Sequence, residues 1–332
     1  MFSEISSANT NFRSGNKVEL WRNLAVMDHR RRNEEMESDP TENARNRMQR
    51  PEPPLQESFD PNMMPTDDER RWALEIKEAF YNSSEVTDAF KRSTPDMVFV
   101  SHAIAAHGNV TEAVKRLEGL SNFATEYGIN HTTEQALFFL RKFMIQQPGY
   151  LLHLDVSPIT QQAWLITDSA AFRCQHALAD DNRWKICVCG LFYMHYTTWT
   201  TLTSIRQGLF CEIECESVNW HNFNMDFITR LFSELMPYMP ILFQRSRAYN
   251  TAMVANLLWS LAGPFMTVSQ KESVQLGCRV VSDADETNGF GTTRRLSEFY
   301  LQPSVKEAME RTLQRAEHLL RIREHNAATF RL

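Results

Sequence analysis

The sequence predicts an α/β protein: a small all-helical N-terminal domain, a mostly parallel sheet flanked by helices, and a closing helix. Three observations predict this. Between residues 67 and 128, apolar residues recur only at helical spacing. From about residue 130, short β-branched and aromatic runs alternate with amphipathic segments, the pattern of strands joined by helical crossovers. Beyond residue 301 one last helical stretch, Ser304–Arg323, carries Val305, Met309, Leu313, Leu319 and Leu320. The expected divisions are 1–66, 67–128, 129–301 and 302–332.

Residues 1–66 are polar and mixed in charge, so they bury too little apolar surface to offset the entropy of ordering. They read as a disordered arm, with a short helix possible at Lys17–Met27. Arg30, Arg31 and Arg32 are followed closely by Glu34, Glu35 and Glu37, which reads as a solvated charge run. Thr66-Asp-Asp-Glu69 then opens a helix with a capping residue and acids in the first turn. Trp72, Ile76, Ala79 and Phe80 mark its inner face. Further helices are expected at Ser84–Arg92, Asp96–Ala106 and Thr111–Tyr127, the last capped by Asn109.

In the second part, Thr133–Gln147 reads as a helix, Gln162–Thr167 as a strand and Asn182–Arg206 as one long helix. Leu209–Cys215 is the next strand. Met225–Tyr238 is a helix with Phe227, Ile228, Leu231, Phe232 and Leu235 on one side. Strands at Gln244–Tyr249 and Glu272–Leu276 complete the sheet.

The chain has 332 residues and a formal net charge of -6, so nothing draws it generally to nucleic acid or anionic membrane. Its six cysteines form no CxxC pair and lack histidines at zinc-ligand spacing. They read as buried free thiols in a reducing compartment. No leader pattern opens the sequence, and the longest apolar run, Ala252–Met266, is short for a membrane span. The expected location is the cytoplasm, with peripheral contact at membranes. No GxGxxG, P-loop, G-x-S-x-G or HExxH is present, so neither an enzyme nor a cofactor or metal protein is expected. His102 and His107 read as structural. Glu212 and Glu214 alternate onto one face of a strand. Glu212 either meets solvent at a sheet edge or holds a polar group of a ligand.

The most informative stretch is Pro240-Ile-Leu-Phe-Gln-Arg-Ser-Arg-Ala-Tyr-Asn250 running on to Gly263-Pro264-Phe265. A proline opens a strand, an amphipathic helix follows, and Gly263-Pro264 ends it, because proline cannot continue a helix. This order and spacing resemble the CRAL-TRIO lipid-binding family, which includes phosphatidylinositol and α-tocopherol transfer proteins. The resemblance extends as a pattern over residues 67–301 and is specific between Arg206 and Gly277. Departures are visible: Glu214 stands for the family's Asp, Ser217 for its Gly, and the later proline and glycines are absent near Leu296–Leu301.

The resemblance implies a hydrophobic pocket, with the sheet as floor and a mobile gate helix as lid. It implies gate residues Met253, Leu257, Leu258, Trp259, Leu261 and Phe265. Floor candidates are Trp164, Ile166, Leu209, Cys211 and Ile213, and wall candidates are Phe192, Tyr196, Phe223, Phe227 and Leu231. Burying a sixteen-carbon chain there contributes on the order of 10 kcal/mol before binding costs. Trp259 and Phe265 suit insertion at a membrane interface; packing of Trp259 on the sheet is the alternative. The phosphate-binding residues of phosphatidylinositol carriers are replaced by Ile241, Gln270 and Ser273. Arg245, Arg247, Lys271 and Arg279 form a different candidate anion patch. The expected function is non-catalytic binding and transfer of a small lipid. The alternative is a scaffold with a collapsed pocket, whose N-terminal arm engages a protein partner.

Overall fold

The computed structural model describes residues 64–156, 161–215, 218–219, 222, 224–235, 238–239, 243–249, 274–278 and 304–332. The expected N-terminal arm, the gate segment and Phe223, Lys271 and Arg279 lie outside them.

The helical block begins with α1, Asp67–Asn82, at the cap the sequence marks. Glu69 N donates to Thr66 Oγ1 at 3.2 Å and Thr66 N donates to Glu69 Oε2 at 2.8 Å, a reciprocal capping box. α2 spans Asp88–Ser93, shorter than the expected Ser84–Arg92, because Thr87 supplies the cap to Phe90 N. α3 is Asp96–Ala105 and is buried from Met97 to its end. α4, Val110–Tyr127, is capped by Asn109 and ends at Gly128 with φ 67, a left-handed position suited to glycine. α5 is Thr133–Gln146.

A five-stranded sheet follows, with strands in sequence order: β1 Leu151–Val156, β2 Ala163–Asp168, β3 Leu209–Glu214, β4 Phe243–Tyr249 and β5 Val274–Cys278. β1 runs antiparallel to β2, and every other pairing is parallel. β1 is absent from the sequence reading. Between β2 and β3 lie α6 (Cys174–Ala177), α7 (Asp181–Thr197) and α8 (Leu202–Gln207). The expected single helix from Asn182 to Arg206 is therefore two. Thr201 restarts the chain with its own capping box, accepting from Ser204 N while Ser204 Oγ accepts from Thr201 N. α9 covers Met225–Glu234, and α10, Val305–Thr329, extends past the expected end at Arg323.

One face of the sheet and the helices share one apolar core. Leu154, Leu165, Leu209 and Cys211 from the strands join Phe143, Phe192, Trp184 and Leu319 from the helices, and Phe80, Phe99 and Leu117 from the helical block. α5 and α7 approach closely at Gly190, where an added Cβ would lie 2.3 Å from Phe143 Cβ. Arg206 ties α8 to α1 by donating from Nε to Glu69 Oε1 at 2.9 Å and from Nη2 to Glu69 Oε2 at 2.5 Å. Cys174, Cys187, Cys189, Cys211 and Cys215 are free, buried thiols.

α10 carries a charge into this core. Arg323 lies on its apolar stripe with Leu319 and Leu320 and is 4% exposed. Its Nη1 donates to the Tyr196 hydroxyl, and its guanidinium carbon sits 3.5 Å from the Tyr196 ring centroid. A desolvated cation–π contact contributes about 2 kcal/mol. Burying a charge costs several kcal/mol even after relaxation, so the contact alone leaves Arg323 under-compensated.

Candidate functional site

The opposite face of the sheet has a character of its own, set by strand register. Trp164 pairs with Phe210, which pairs with Arg245; Ile166 pairs with Glu212, which pairs with Arg247; Asp168 pairs with Glu214, which pairs with Tyr249. Directly paired residues point to the same side, and alternate residues of a strand share a face. The result is an apolar platform of Trp164, Ile166 and Phe210 that meets a polar row at Glu212, Arg247 and Tyr249.

The platform is buried. Trp164 and Ile166 are fully buried, with Phe210 and Tyr249 nearly so, and these four form a cluster separate from the main core, with Leu152 packed against it. Glu212 is buried too, in the middle of a central strand, which excludes the solvent-facing edge position. The Tyr249 hydroxyl donates to Glu212 Oε1 at 3.1 Å. Burial raises the Tyr249 phenol well above its ordinary range, and the Glu212 charge raises it further, so it stays a donor. The Arg247 guanidinium lies 5.6 Å from the Phe210 ring centroid, bridging the apolar and polar parts.

At the β1 side, His153 and Asp155 share this face through their pairing with Ile166 and Trp164. The His153 ring meets Trp164 edge-on, with centroids 4.8 Å apart. Arg315 of α10 holds Asp155 Oδ2 at 2.8 Å, and His153 Nε2 lies 3.7 Å from the same oxygen. Burial by itself would raise the Asp155 carboxyl; the hydrogen bond from His153 and the Arg315 charge outweigh it and hold the group below the usual carboxylate range. This charged clamp fixes α10 against the outer strand.

The structure divides the expected floor residues between two faces. Trp164 and Ile166 belong to the platform. Leu209 and Cys211 face the main core, and half-buried Ile213 packs with them. The expected walls Phe192 and Tyr196 are also in that core: Phe192 stacks on Tyr196, with ring centroids 5.6 Å apart, and Phe123 lies 5.7 Å from Phe192. Phe227 packs on Phe172 and Trp184 at 5.0 and 5.7 Å, and Leu231 packs beside it. These residues therefore cannot line one cavity with Trp164 and Ile166. Of the candidate anion patch, Arg247 lies on the platform face and Arg245 takes the register position beside Phe210.

Sequence reading missed Phe210 and Tyr249 as partners of Trp164. The available signal was the alternation of Leu209–Glu214, but only the β2–β3 register says which half of it joins Trp164. His102, read as structural, is buried, and its Nδ1 lies 2.8 Å from Val98 O. Burial holds its imidazole down to about 4, so it stays neutral. Among the described residues, no group of three or more His, Cys, Asp and Glu is placed to hold a metal ion, and no helix is long and apolar enough to cross a membrane.

No family model matches the chain, and no curated protein matches it in sequence. Among solved structures, the crystal structure of Sfh5 is similar over 66% of this chain and 81% of that one, with a TM-score of 0.42 and 13% identity. A likeness that loose transfers neither residues nor a ligand.

Proposed function

We propose that the chain binds one hydrophobic molecule with a polar end on the second face of its sheet, without chemistry, and exchanges it at membranes. The observation that carries this reading is the buried apolar patch of Trp164, Ile166 and Phe210 beside the Glu212–Tyr249 pair. Apolar walls with a few placed polar groups are the usual make-up of a small-molecule site. The apolar body of the ligand lies over the platform, and its polar end meets Tyr249, Glu212 and Arg247. The sequence supplies a lid candidate where the topology needs one. β4 delivers Arg247 and Tyr249 to this face, and the amphipathic stretch from Met253 to Phe265, read from its resemblance to CRAL-TRIO gate helices, follows directly. Leu258, Trp259 and Phe265 would then cover the ligand and meet the membrane when the lid opens.

The scaffold alternative has one observation in its favour. Phe192, Tyr196, Phe227 and Leu231 pack into or against the main apolar core, on the other face. The test compares chains purified from their own cells by solvent extraction and mass spectrometry. The unaltered protein should yield one class of lipid near equimolar amount. Ile166→Trp, which fills the platform, and Leu258→Trp should each lower the yield at least tenfold while leaving the circular dichroism spectrum unchanged. Equal lipid in all three, or none in the unaltered protein, favours the scaffold.

A further inference from the structure

A second feature stands apart from the sheet. At the junction of α7, α10 and the loop before α5, three buried nitrogens have no hydrogen-bond partner among the described residues: Arg323 Nε, His131 Nδ1 and His131 Nε2. All three cluster on one aromatic ring. The Arg323 guanidinium lies over Tyr196, and the His131 ring stacks on Tyr196 with centroids 5.5 Å apart. Phe90 closes the other side of His131 at 6.0 Å. Buried polar groups in native proteins are almost always satisfied, and a cluster of orphans asks for an occupant.

The charge inventory says what kind. Guanidinium does not give up its proton in proteins, so Arg323 stays cationic however deeply it is buried. No described carboxylate lies within ion-pair distance of it, and among the described residues its hydrogen-bond partner is the Tyr196 phenol. The adjacent acid, Glu324, is held at the surface, accepting from Thr133 Oγ1 at 2.7 Å. Asn326 is committed to Thr200 O at 2.8 Å. A water molecule would satisfy a nitrogen but supply no charge. An oxyanion does both, since its oxygens accept from the Arg323 Nε–H and from a ring N–H of histidine.

We propose that this junction is a buried oxyanion site, with Arg323 as its charged anchor and His131 as its second donor, and that it takes phosphate or the phosphoester end of a larger molecule. His131 carries a built-in report of occupancy. Burial, and after it the Arg323 charge, push its imidazole down to about 3, leaving it neutral. An anion beside it reverses the second effect.

The test uses the full chain in phosphate-free buffer. Inorganic phosphate and, in a separate arm, glycerol 3-phosphate are titrated against sodium chloride of equal ionic strength. The melting temperature of the unaltered protein should rise with the logarithm of phosphate concentration beyond the chloride control. R323M, which keeps the contact with Tyr196 but removes the charge, should be flat. A response to phosphate assigns a free ion, and a response confined to glycerol 3-phosphate assigns a phosphoester. The His131 imidazole protons, followed by NMR, should titrate at least one pH unit higher in the occupied state. Equal responses in R323M, or no response beyond chloride, overturn the proposal. Should R323M fail to fold, the unaltered chain decides: an imidazole titration unmoved by either compound overturns it.

Discussion

Gly190→Ala sets two effects of known sign against each other. In α7 the substitution gains helix propensity, about 1 kcal/mol. Against this, the new Cβ would sit 2.3 Å from Phe143 Cβ, 2.4 Å from Cγ and 2.8 Å from Cδ2. Two of those atoms lie at the root of the Phe143 side chain, so rotation about its outer bonds does not clear them. Phe143 is itself fully buried, with Tyr150 edge-on at 5.8 Å. The clash is relieved only if α5 and α7 separate by about 1 Å, which belongs to the upper part of the overpacking range, about 3 kcal/mol. The net cost is therefore about 2 kcal/mol. At about 2.1 cal/mol/K of unfolding entropy per residue, a chain of 332 residues then melts roughly 3 °C lower. Differential scanning calorimetry on the two proteins measures it. A melting temperature equal to or above that of the unaltered chain would show that propensity wins and that the two helices are not in this close contact.

Other consequences are smaller in scope. Glu69→Gln should cost about 2 kcal/mol, because it removes the charged acceptor of Arg206; urea denaturation reads it. For Glu69, burial would raise the carboxyl, but the Arg206 and Thr66 hydrogen bonds outweigh it and hold the folded value below 4.5. The group's stabilisation is therefore fully present above pH about 4.5 and is lost as pH falls through the depressed folded value. Glu69→Gln should flatten that part of the stability profile, and an unchanged profile would show the pair is not formed. Burial pushes the thiols of Cys174, Cys189, Cys211 and Cys215 up to about 12, and that of Cys187 well above its ordinary value. An aromatic disulfide reagent at pH 8 should therefore modify no more than one of the six cysteines in the native chain and all six in denaturant. Rapid native modification of several would contradict the burial.

The elements that were legible in the sequence are those with strong local signals. Thr66 and Asn109 announce their helices through capping chemistry, and Gly128 stops one. The order of β2, α7, β3, α9 and β4 follows from alternating periodicities. β1 was not legible because His153 and Asp155 break the apolar run of Leu151-Leu-His-Leu-Asp-Val156, and both are partnered by Arg315, far along the chain. The break after Thr197 lay within Thr197-Thr-Trp-Thr-Thr201, whose β-branched residues disfavour a helix, yet the apolar spacing on either side bridges it. Trp164 and Ile166 read as floor candidates, but β2 is buried on both faces, so alternation there carries no inward sign. Only pairing with β3 separates Phe210 and Glu212 from Leu209 and Cys211. Arg323 had a visible signal that the sequence reading passed over: a charged residue in step with Leu319 and Leu320 on the buried stripe of α10.

The most direct measurement is the native mass of the intact chain purified from its own cells. The account predicts a single noncovalent adduct of lipid mass at one per chain, lost on Ile166→Trp. A mass equal to the bare polypeptide, with the second sheet face filled by side chains of the protein itself, would contradict it.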